Sequence, residues 1–152
     1  MEFRTLTPDE LHPYRPFLLH FLRRFGGGHI THRAIRWLKN MEGKELEEKG
    51  TLILIATEAK KLIGLFAVSD FGLKESLIAV HPKHRNRNLG KEMLKRAIES
   101  LGTLYGRVAL DNLPSLKMCL GIGMVGFKLI EGPTGKPTLW LGIGQWKKED
   151  VT

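Results

Sequence analysis

The segment from Leu77 to Leu94 has the residue types and spacing that could bind an anion. An apolar run ends at Val80, a basic loop follows, and a helical apolar pattern begins at Leu89, so a strand, a loop and a helix are predicted in that order. The first amides of a helix have no partners within it and carry partial positive charge. Gly90 falls in the first turn and would let a ligand approach the backbone closely. This pattern predicts a diphosphate site, to which three cations add full positive charge: Arg85, Arg87 and Lys91.

The elements that must position this site alternate along the chain. The predicted strands are residues 2–7, 51–59, 62–68, 74–80, 107–111, 127–131 and 139–145. The predicted helices are residues 8–25, with a break at Pro13 and Pro16, and residues 32–41, 89–101 and 114–120. The resulting order, β-α-α-β-β-β-α-β-α-β-β, predicts a mixed α/β (α+β) protein.

Length and composition predict one domain over residues 1–152, because a second domain would be cramped in a chain of 152 residues. Cys119 is the only cysteine, so no internal disulfide can form, and a reducing, cytoplasmic location is expected. No apolar run approaches the ~20 residues that a membrane span needs, and the N-terminus does not have the pattern of a signal peptide. We therefore expect no membrane partner.

The net charge of +8 indicates an anionic partner without identifying it. A phosphorylated cofactor such as coenzyme A and nucleic acid both fit this charge. The sequence has no recognised nucleic-acid motif and no alternation of aromatic and basic residues that would stack on bases, so a nucleic-acid-binding domain is the third choice. His81 and His84 flank a proline without a nearby Cys, Asp or Glu, and we predict no metal.

The stretch from Val80 to Gly90 resembles the acyl-CoA signature of the GNAT superfamily of N-acetyltransferases. In that family a strand ending in Val-x-Pro precedes Gln/Arg-x-x-Gly-x-Gly/Ala at the start of a long helix. Val80-His81-Pro82 matches the strand end, Arg85 the first motif position and Gly90 the last. Asn88 replaces the first glycine, which is a mild departure because Asn tolerates left-handed backbone. The resemblance covers nearly the whole chain and implies the GNAT fold, a mixed central sheet of about seven strands flanked by about four helices.

The resemblance implies direct transfer of an acetyl group from acetyl-CoA to a primary amine of a small-molecule or peptide acceptor, without an acyl-enzyme. In the family a bulge in the fourth strand separates it from the fifth and frees amides for the pantetheine arm. A second family pattern, Asn-x-x-Ala/Ser after the fifth strand, matches at Asn112 and Ser115. The implied cofactor-binding residues are Ile78, Ala79, Val80, Arg85, Asn86, Arg87, Asn88, Leu89, Gly90, Lys91 and Asn112.

Three residues are candidates for two catalytic roles by this resemblance. Glu75, on the strand leading to Val80, is the first choice for general base, acting through water, and Asp70 is the second. Cys119 lies seven residues after Asn112, where the family places a tyrosine general acid. A thiol could donate a proton, but packing in the core is the favoured role of this cysteine.

Several alternatives stay open. Gly121 to Gly126 spells Gly-x-Gly-x-x-Gly, but a β-like run follows it rather than a helix, which argues against a dinucleotide site. The missing tyrosine supports a GNAT-fold protein that binds acyl-CoA without efficient turnover. A homodimer is also left open.

Overall fold

The computed structural model describes residues 1–27, 30–133 and 135–151. Within them the strands are β1 (Glu2–Thr5), β2 (Leu52–Glu58), β3 (Lys61–Ser69), β4 (Glu75–Val80), β5 (Thr103–Ala109), β6 (Val125–Glu131) and β7 (Pro137–Gly144). The α-helices are α1 (Pro8–Phe25), α2 (His32–Asn40), α3 (Leu89–Leu101) and α4 (Leu113–Gly121). Short 3₁₀ turns lie at Gly43–Glu47, Asp70–Gly72, Pro82–Arg87 and Lys148–Asp150. The predicted order of strands and helices is confirmed.

The seven strands form two sheets. The first has the order β1-β2-β3-β4 and the second β5-β7-β6, and neighbouring strands in both are antiparallel. The mixed α/β fold with seven strands and four helices is thus confirmed, and the structure adds a division of the central sheet. Among the described strands, no pairing joins β4 to β5.

The two sheets meet at the beginning of β4. Gly72 has φ of 97°, and a Cβ atom there would lie 1.9 Å from the carbonyl oxygen of Tyr105 in β5. Next to this contact, Arg107 of β5 donates a hydrogen bond from Nη2 to the Lys74 carbonyl at 3.2 Å. Only glycine permits this close approach at positive φ. The strands are therefore tied together at one end, and β4 continues without β5 as its partner.

β4 shows no bulge against β3. Its register runs without interruption from Glu75, opposite Ser69, to Val80, opposite Gly64. Register shifts occur instead between Ala56 and Thr57 of β2, and in β6. The bulge that the resemblance implied for the fourth strand is therefore absent from the β3–β4 ladder, and the separation of β4 from β5 does not depend on it.

Each face of the first sheet covers a separate apolar core. The core on one face lies under α1 and α2, and it includes Leu77 and Ala79 of β4. The core on the other face includes α3 and parts of the second sheet, with Ile78 and Val80 of β4 packed against it. Alternating side chains of a strand point to opposite faces. Glu75 therefore shares the α1–α2 face with Leu77 and Ala79.

The predicted break in the first helix was wrong, since α1 continues through Pro13 and Pro16. Proline removes one helical hydrogen bond and crowds the preceding turn. Buried leucines on both sides of the prolines, Leu11 and Leu18, pack into the first core and hold the helix together. Tertiary burial overrides local propensity here.

Two of the predicted helices begin with local capping hydrogen bonds. The Thr7 amide donates to Glu10 Oε1 at 3.0 Å, and the Thr31 side chain accepts from the Ala34 amide at 3.1 Å. At the other end of α3, Gly102 is left-handed, with φ of 77°. β5 begins directly afterwards at Thr103, four residues earlier than predicted. In the part of the chain that the structure describes, no helix has the length and apolar character to cross a membrane.

Candidate active site

The loop between β4 and α3 leaves the start of α3 open. Asn88, the residue before the helix, is left-handed with φ of 59° and ψ of 22°, and its side chain makes no capping hydrogen bond. The first backbone amides of α3 therefore lack the side-chain hydrogen bond that the residue before a helix normally supplies. The helix dipole adds partial positive charge at the same place. This arrangement can bind an anion.

Gly90 is buried in the first turn of α3, and a side chain at this position would point toward α4. A Cβ atom at this position would lie 2.5 Å from Met118 Sδ and 3.8 Å from Ile78 Cδ1. The glycine thus allows α4 to pack closely against the start of α3. The sequence predicts that this glycine serves the approach of a ligand, and the structure adds the close contact with the neighbouring helix.

The cations of the loop have different surroundings. Arg85 donates from Nε to the Val80 carbonyl and from Nη2 to the Phe25 carbonyl, each at 3.1 Å, and so ties the end of β4 to the end of α1. Arg87 is exposed. Lys91 is half-buried, and its Nζ lies 3.0 Å from where a Cβ on Gly121 of α4 would be.

The remaining predicted cofactor-binding residues lie in the loop before α3, at the start of α3 and at the start of α4. The backbone of Asn86 lies in the 3₁₀ turn Pro82–Arg87, and Leu89 is buried in the second core. Asn112 precedes α4, and its side-chain oxygen accepts from the Ser115 amide at 3.5 Å. The role seen for Asn112 is therefore that of a helix cap.

The β4 backbone alternates between its partner strand and the open edge. The His81 amide donates to the Ile63 carbonyl of β3 at 2.8 Å. Because backbone groups alternate along a ladder, Ala79 also faces β3, whereas Ile78 and Val80 face the edge where β5 is not paired. Of the three predicted pantetheine-binding residues, two thus present their amides at the open edge.

Two histidines fasten the loop to neighbouring elements. His81 Nδ1 accepts from the Lys83 amide at 3.2 Å, and its ring packs 4.5 Å from that of Phe25. Desolvation and nearby positive groups lower the pKa of His81, which favours the neutral, accepting form. His84 is buried, with Nε2 3.4 Å from a carboxylate oxygen of Glu58 at the end of β2. Among the described residues, no group of three or more His, Cys, Asp or Glu side chains could hold a metal.

Glu75 lies at the point where β4 and β5 are tied together. It is 8% exposed, and Arg33 Nε of α2 lies 2.6 Å from Glu75 Oε1. Burial lowers the pKa of Arg107 on β5, and the charge of Glu75 opposes that shift. Asp70, the second candidate for the base, begins the 3₁₀ turn before β4. Sequence reasoning missed Arg33 and Arg107, because no local motif links them to Glu75.

A cleft of about 430 Å³ opens beside Glu75. Its walls come from α2, from the turn after α2, and from the facing ends of β2, β3 and β4. The lining residues are Arg33, Trp37, Met41, Glu45, Glu48, Thr51, Ser69, Lys74 and Glu75. The volume falls within the range of small-molecule sites.

Cys119 lies in α4 within the second core and is 7% exposed. Burial raises the pKa of its thiol to about 11. A CoA thiol has an ordinary thiol pKa of about 8.5. Transfer of a proton from the Cys119 thiol to a CoA thiolate would therefore cost roughly 3.4 kcal/mol. This environment suits a packed cysteine better than a proton donor.

A family model described as "Acetyltransferase (GNAT) domain" matches residues 30–113, which include β2 to β5, the loop at Asn88 and Glu75. The chain belongs to the GNAT acetyltransferase family. The matched span covers more than half of the 152 residues. A comparison with curated proteins gives no match.

Solved structures with the same fold include other acetyltransferases. A mutant of the spermidine N-acetyltransferase from Vibrio cholerae aligns with a TM-score of 0.66 at 17% identity, covering 95% of this chain and 93% of that chain. A ribosomal-protein-alanine N-acetyltransferase from Brucella melitensis gives 0.65 at 16% identity, with 95% and 99% covered. A Salmonella typhimurium protein described as an acetyltransferase, solved with its cofactor acetyl-CoA, gives 0.63 at 12% identity, with 97% and 95% covered. At these identities the likeness concerns the GNAT fold alone.

Proposed function

We propose that this GNAT-family protein transfers an acetyl group from acetyl-CoA to a primary amine by direct attack. The observation that carries the proposal is the combination of an open β4 edge with an uncapped α3 start. The open β4 edge can pair with an amide-containing arm, and the start of α3 can bind a diphosphate. Together they fit the pantetheine arm and the diphosphate of coenzyme A.

The residues that would hold acetyl-CoA follow from this placement. The outward-facing amides of Ile78 and Val80 would pair with the pantetheine arm, and the amides from Asn86 to Lys91 would face the diphosphate. Arg87 is exposed beside this loop and would add charge, while Arg85 would keep the loop attached to β4. When bound, acetyl-CoA supplies the thioester carbonyl that the amine attacks.

The base is proposed to be Glu75, with Asp70 as the second choice. An amine attacks only in its neutral form, so a proton must leave it. Glu75 lies where β4 and β5 are tied together, and it borders the cleft through which an acceptor would approach. A water molecule between the amine and the carboxylate would transfer the proton.

The role of Cys119 as general acid has weaker support than the role of Glu75 as base. Cys119 has a raised pKa and an apolar environment, so we propose that it packs in the core and that solvent protonates the thiolate after departure. The same observation supports the second candidate function, a GNAT-fold protein that binds acyl-CoA without efficient turnover. Nucleic-acid binding stays the third.

The first prediction is that acetyl-CoA stabilises the folded protein. A ligand that binds only the native state at ~100 times its dissociation constant adds about 2.7 kcal/mol to the free energy of unfolding. Thermal melts with and without acetyl-CoA measure this. An unchanged melting temperature at millimolar acetyl-CoA would contradict the proposal, and salt-sensitive retention on DNA without any effect of acetyl-CoA would support nucleic-acid binding instead.

Assays of CoA release with a panel of primary amines then separate the two remaining functions. Stabilisation with turnover indicates an acetyltransferase, and stabilisation without turnover of any amine indicates a binding protein.

A further inference from the structure

We propose that the acceptor is a small-molecule diamine whose reactive amine lies near Glu75 and whose second ammonium lies near Glu45 and Glu48. The proposal rests on the acetyltransferase function above and names the class of its acceptor. It depends on the shape, charge and lining of the cleft beside Glu75.

The cleft extends along one face of α2. Arg33, Trp37 and Met41 are spaced by four residues, so they follow one another along the helix at roughly 6 Å per step. Arg33 marks the end nearest Glu75, where Arg33 Nε and Glu75 Oε1 are 2.6 Å apart. Met41 directly follows α2 and precedes the turn Gly43–Glu47, which contains Glu45 and is followed directly by Glu48. An elongated acceptor fits this arrangement.

The charge of the cleft differs in sign from that of the whole molecule. The protein has a net charge of +8, yet three carboxylates and two cations line the cleft. Arg33 and Glu75 neutralise each other in their ion pair. Of the other charged residues of the lining, Lys74, which is exposed, is outnumbered by Glu45 and Glu48, so the remainder of the cleft carries net negative charge and favours a cation.

The middle of the cleft is suited to an apolar linker next to a cation. Trp37 is half-buried and Met41 is buried; both line the cleft, and Trp37 lies about one helical turn from Arg33 and one from Met41. An indole attracts a nearby ammonium, and a thioether packs against methylene groups. An acceptor with a carboxylate in place of the second ammonium would meet Glu45 and Glu48 and be repelled.

The reaction balances without a further reactant. The free amine nitrogen bonds to the acetyl carbonyl carbon, and the carbon–sulfur bond of the thioester breaks with its electron pair on sulfur. The amine proton passes through water to Glu75, and the departing thiolate takes a proton from solvent. The second ammonium stays charged and bound throughout.

The test compares 1,4-diaminobutane with butylamine and with 4-aminobutanoate, which share the four-carbon chain. We expect kcat/KM for CoA release to be at least about tenfold higher with the diamine, because only it can use the far carboxylates. Calorimetric titration of the diamine into the protein without acetyl-CoA should show binding, and butylamine should bind at least about tenfold more weakly.

Variants locate the second ammonium. Glu48→Gln and Trp37→Leu should each raise KM for the diamine by roughly tenfold while kcat stays close to that of the wild type. Glu47→Gln is the matched control, since Glu47 is an exposed carboxylate next to Glu48 in the chain and does not line the cleft. Glu45 is left intact because its side chain also accepts from the Glu42 amide at 2.6 Å.

The outcomes separate the two proposals. Equal kcat/KM for diamine, monoamine and amino acid, a preference for a lysine-rich peptide, or equal effects of Glu47→Gln and Glu48→Gln would each overturn the diamine proposal while the acetyltransferase function stands. Absence of both acetyl-CoA stabilisation and CoA release with every amine would overturn the acetyltransferase function itself.

Discussion

α3 and α4 both follow a strand and both begin after an asparagine, yet the two asparagines do opposite things. Asn88 is left-handed and leaves the first turn of α3 without a side-chain cap. Asn112 has φ of −89°, and its side chain accepts from the first turn of α4. A helix start offers its amides to a ligand only when its own capping residue does not use them. The open start therefore lies on the β4 side of the molecule.

The strands before these helices differ in the same way. β4 is the edge of its sheet, so its outward-facing amides are not paired with β5, and it carries the buried Glu75. β5 is also an edge strand, but it supplies packing. Tyr105 is buried and donates from its hydroxyl to Asp150 at 2.5 Å, and burial raises the pKa of that hydroxyl. We infer that the chemistry belongs to the β4 half and that the β5 half supports it.

Replacing the proposed base should give the largest effect and would test the β4 half directly. Glu75→Gln keeps the size of the side chain and removes its basicity, so we expect kcat/KM to fall by about 10²- to 10⁴-fold. The measurement is CoA release under saturating acetyl-CoA. Asp70→Asn is the matched control, and asparagine tolerates the positive φ of 50° at that position.

A loss in Asp70→Asn that equals or exceeds that in Glu75→Gln would transfer the role of base to Asp70. Thermal melts of both variants establish that each is folded.

Blocking the start of α3 should give the next largest effect. Gly90→Val places new atoms against Met118 of α4, where a Cβ atom lies only 2.5 Å from the sulfur, and the turn must shift to admit them. We expect affinity for acetyl-CoA, measured by calorimetry, to fall at least about tenfold, although valine itself costs less than ~1 kcal/mol in a helix. Binding as tight as that of the wild type would mean that the diphosphate does not lie on this turn.

A double variant separates two causes of that loss. Met118→Ala makes room on α4, so Gly90→Val with Met118→Ala should recover most of the affinity if packing between the helices is responsible. If the affinity stays low, the valine blocks the ligand directly.

Removing the thiol of α4 should give the smallest effect on turnover. Cys119→Ala is expected to leave kcat nearly unchanged and to lower the free energy of unfolding by about 1 kcal/mol, since a small buried group is lost from the second core. The measurements are kcat at saturating acetyl-CoA and a thermal melt. A hundredfold loss in kcat with an unchanged melt would make Cys119 the general acid and place chemistry in the β5 half.

The sequence predicted most of the fold because its signals are local. Thr7, Thr31 and Gly102 mark helix ends through short-range backbone chemistry, and each lies directly next to a helix that the sequence predicted. The family signature from Val80 to Gly90 likewise depends on residues close together in the chain. The predicted helix break at Pro13 and Pro16 was wrong, because burial of the neighbouring leucines outweighs the cost of a proline within the helix.

The local pattern of this chain by itself determined the element order and predicted an anion-binding loop, and its resemblance to the GNAT family made Glu75 the candidate base. Single-domain organisation, a cytoplasmic location and a homodimer stay predictions. Only the tertiary structure decided that Arg33 pairs with Glu75, that Gly90 faces α4 and that a partly acidic cleft opens on a basic protein. These are contacts between residues distant in sequence, and their geometry depends on how separate elements pack, which no local pattern specifies.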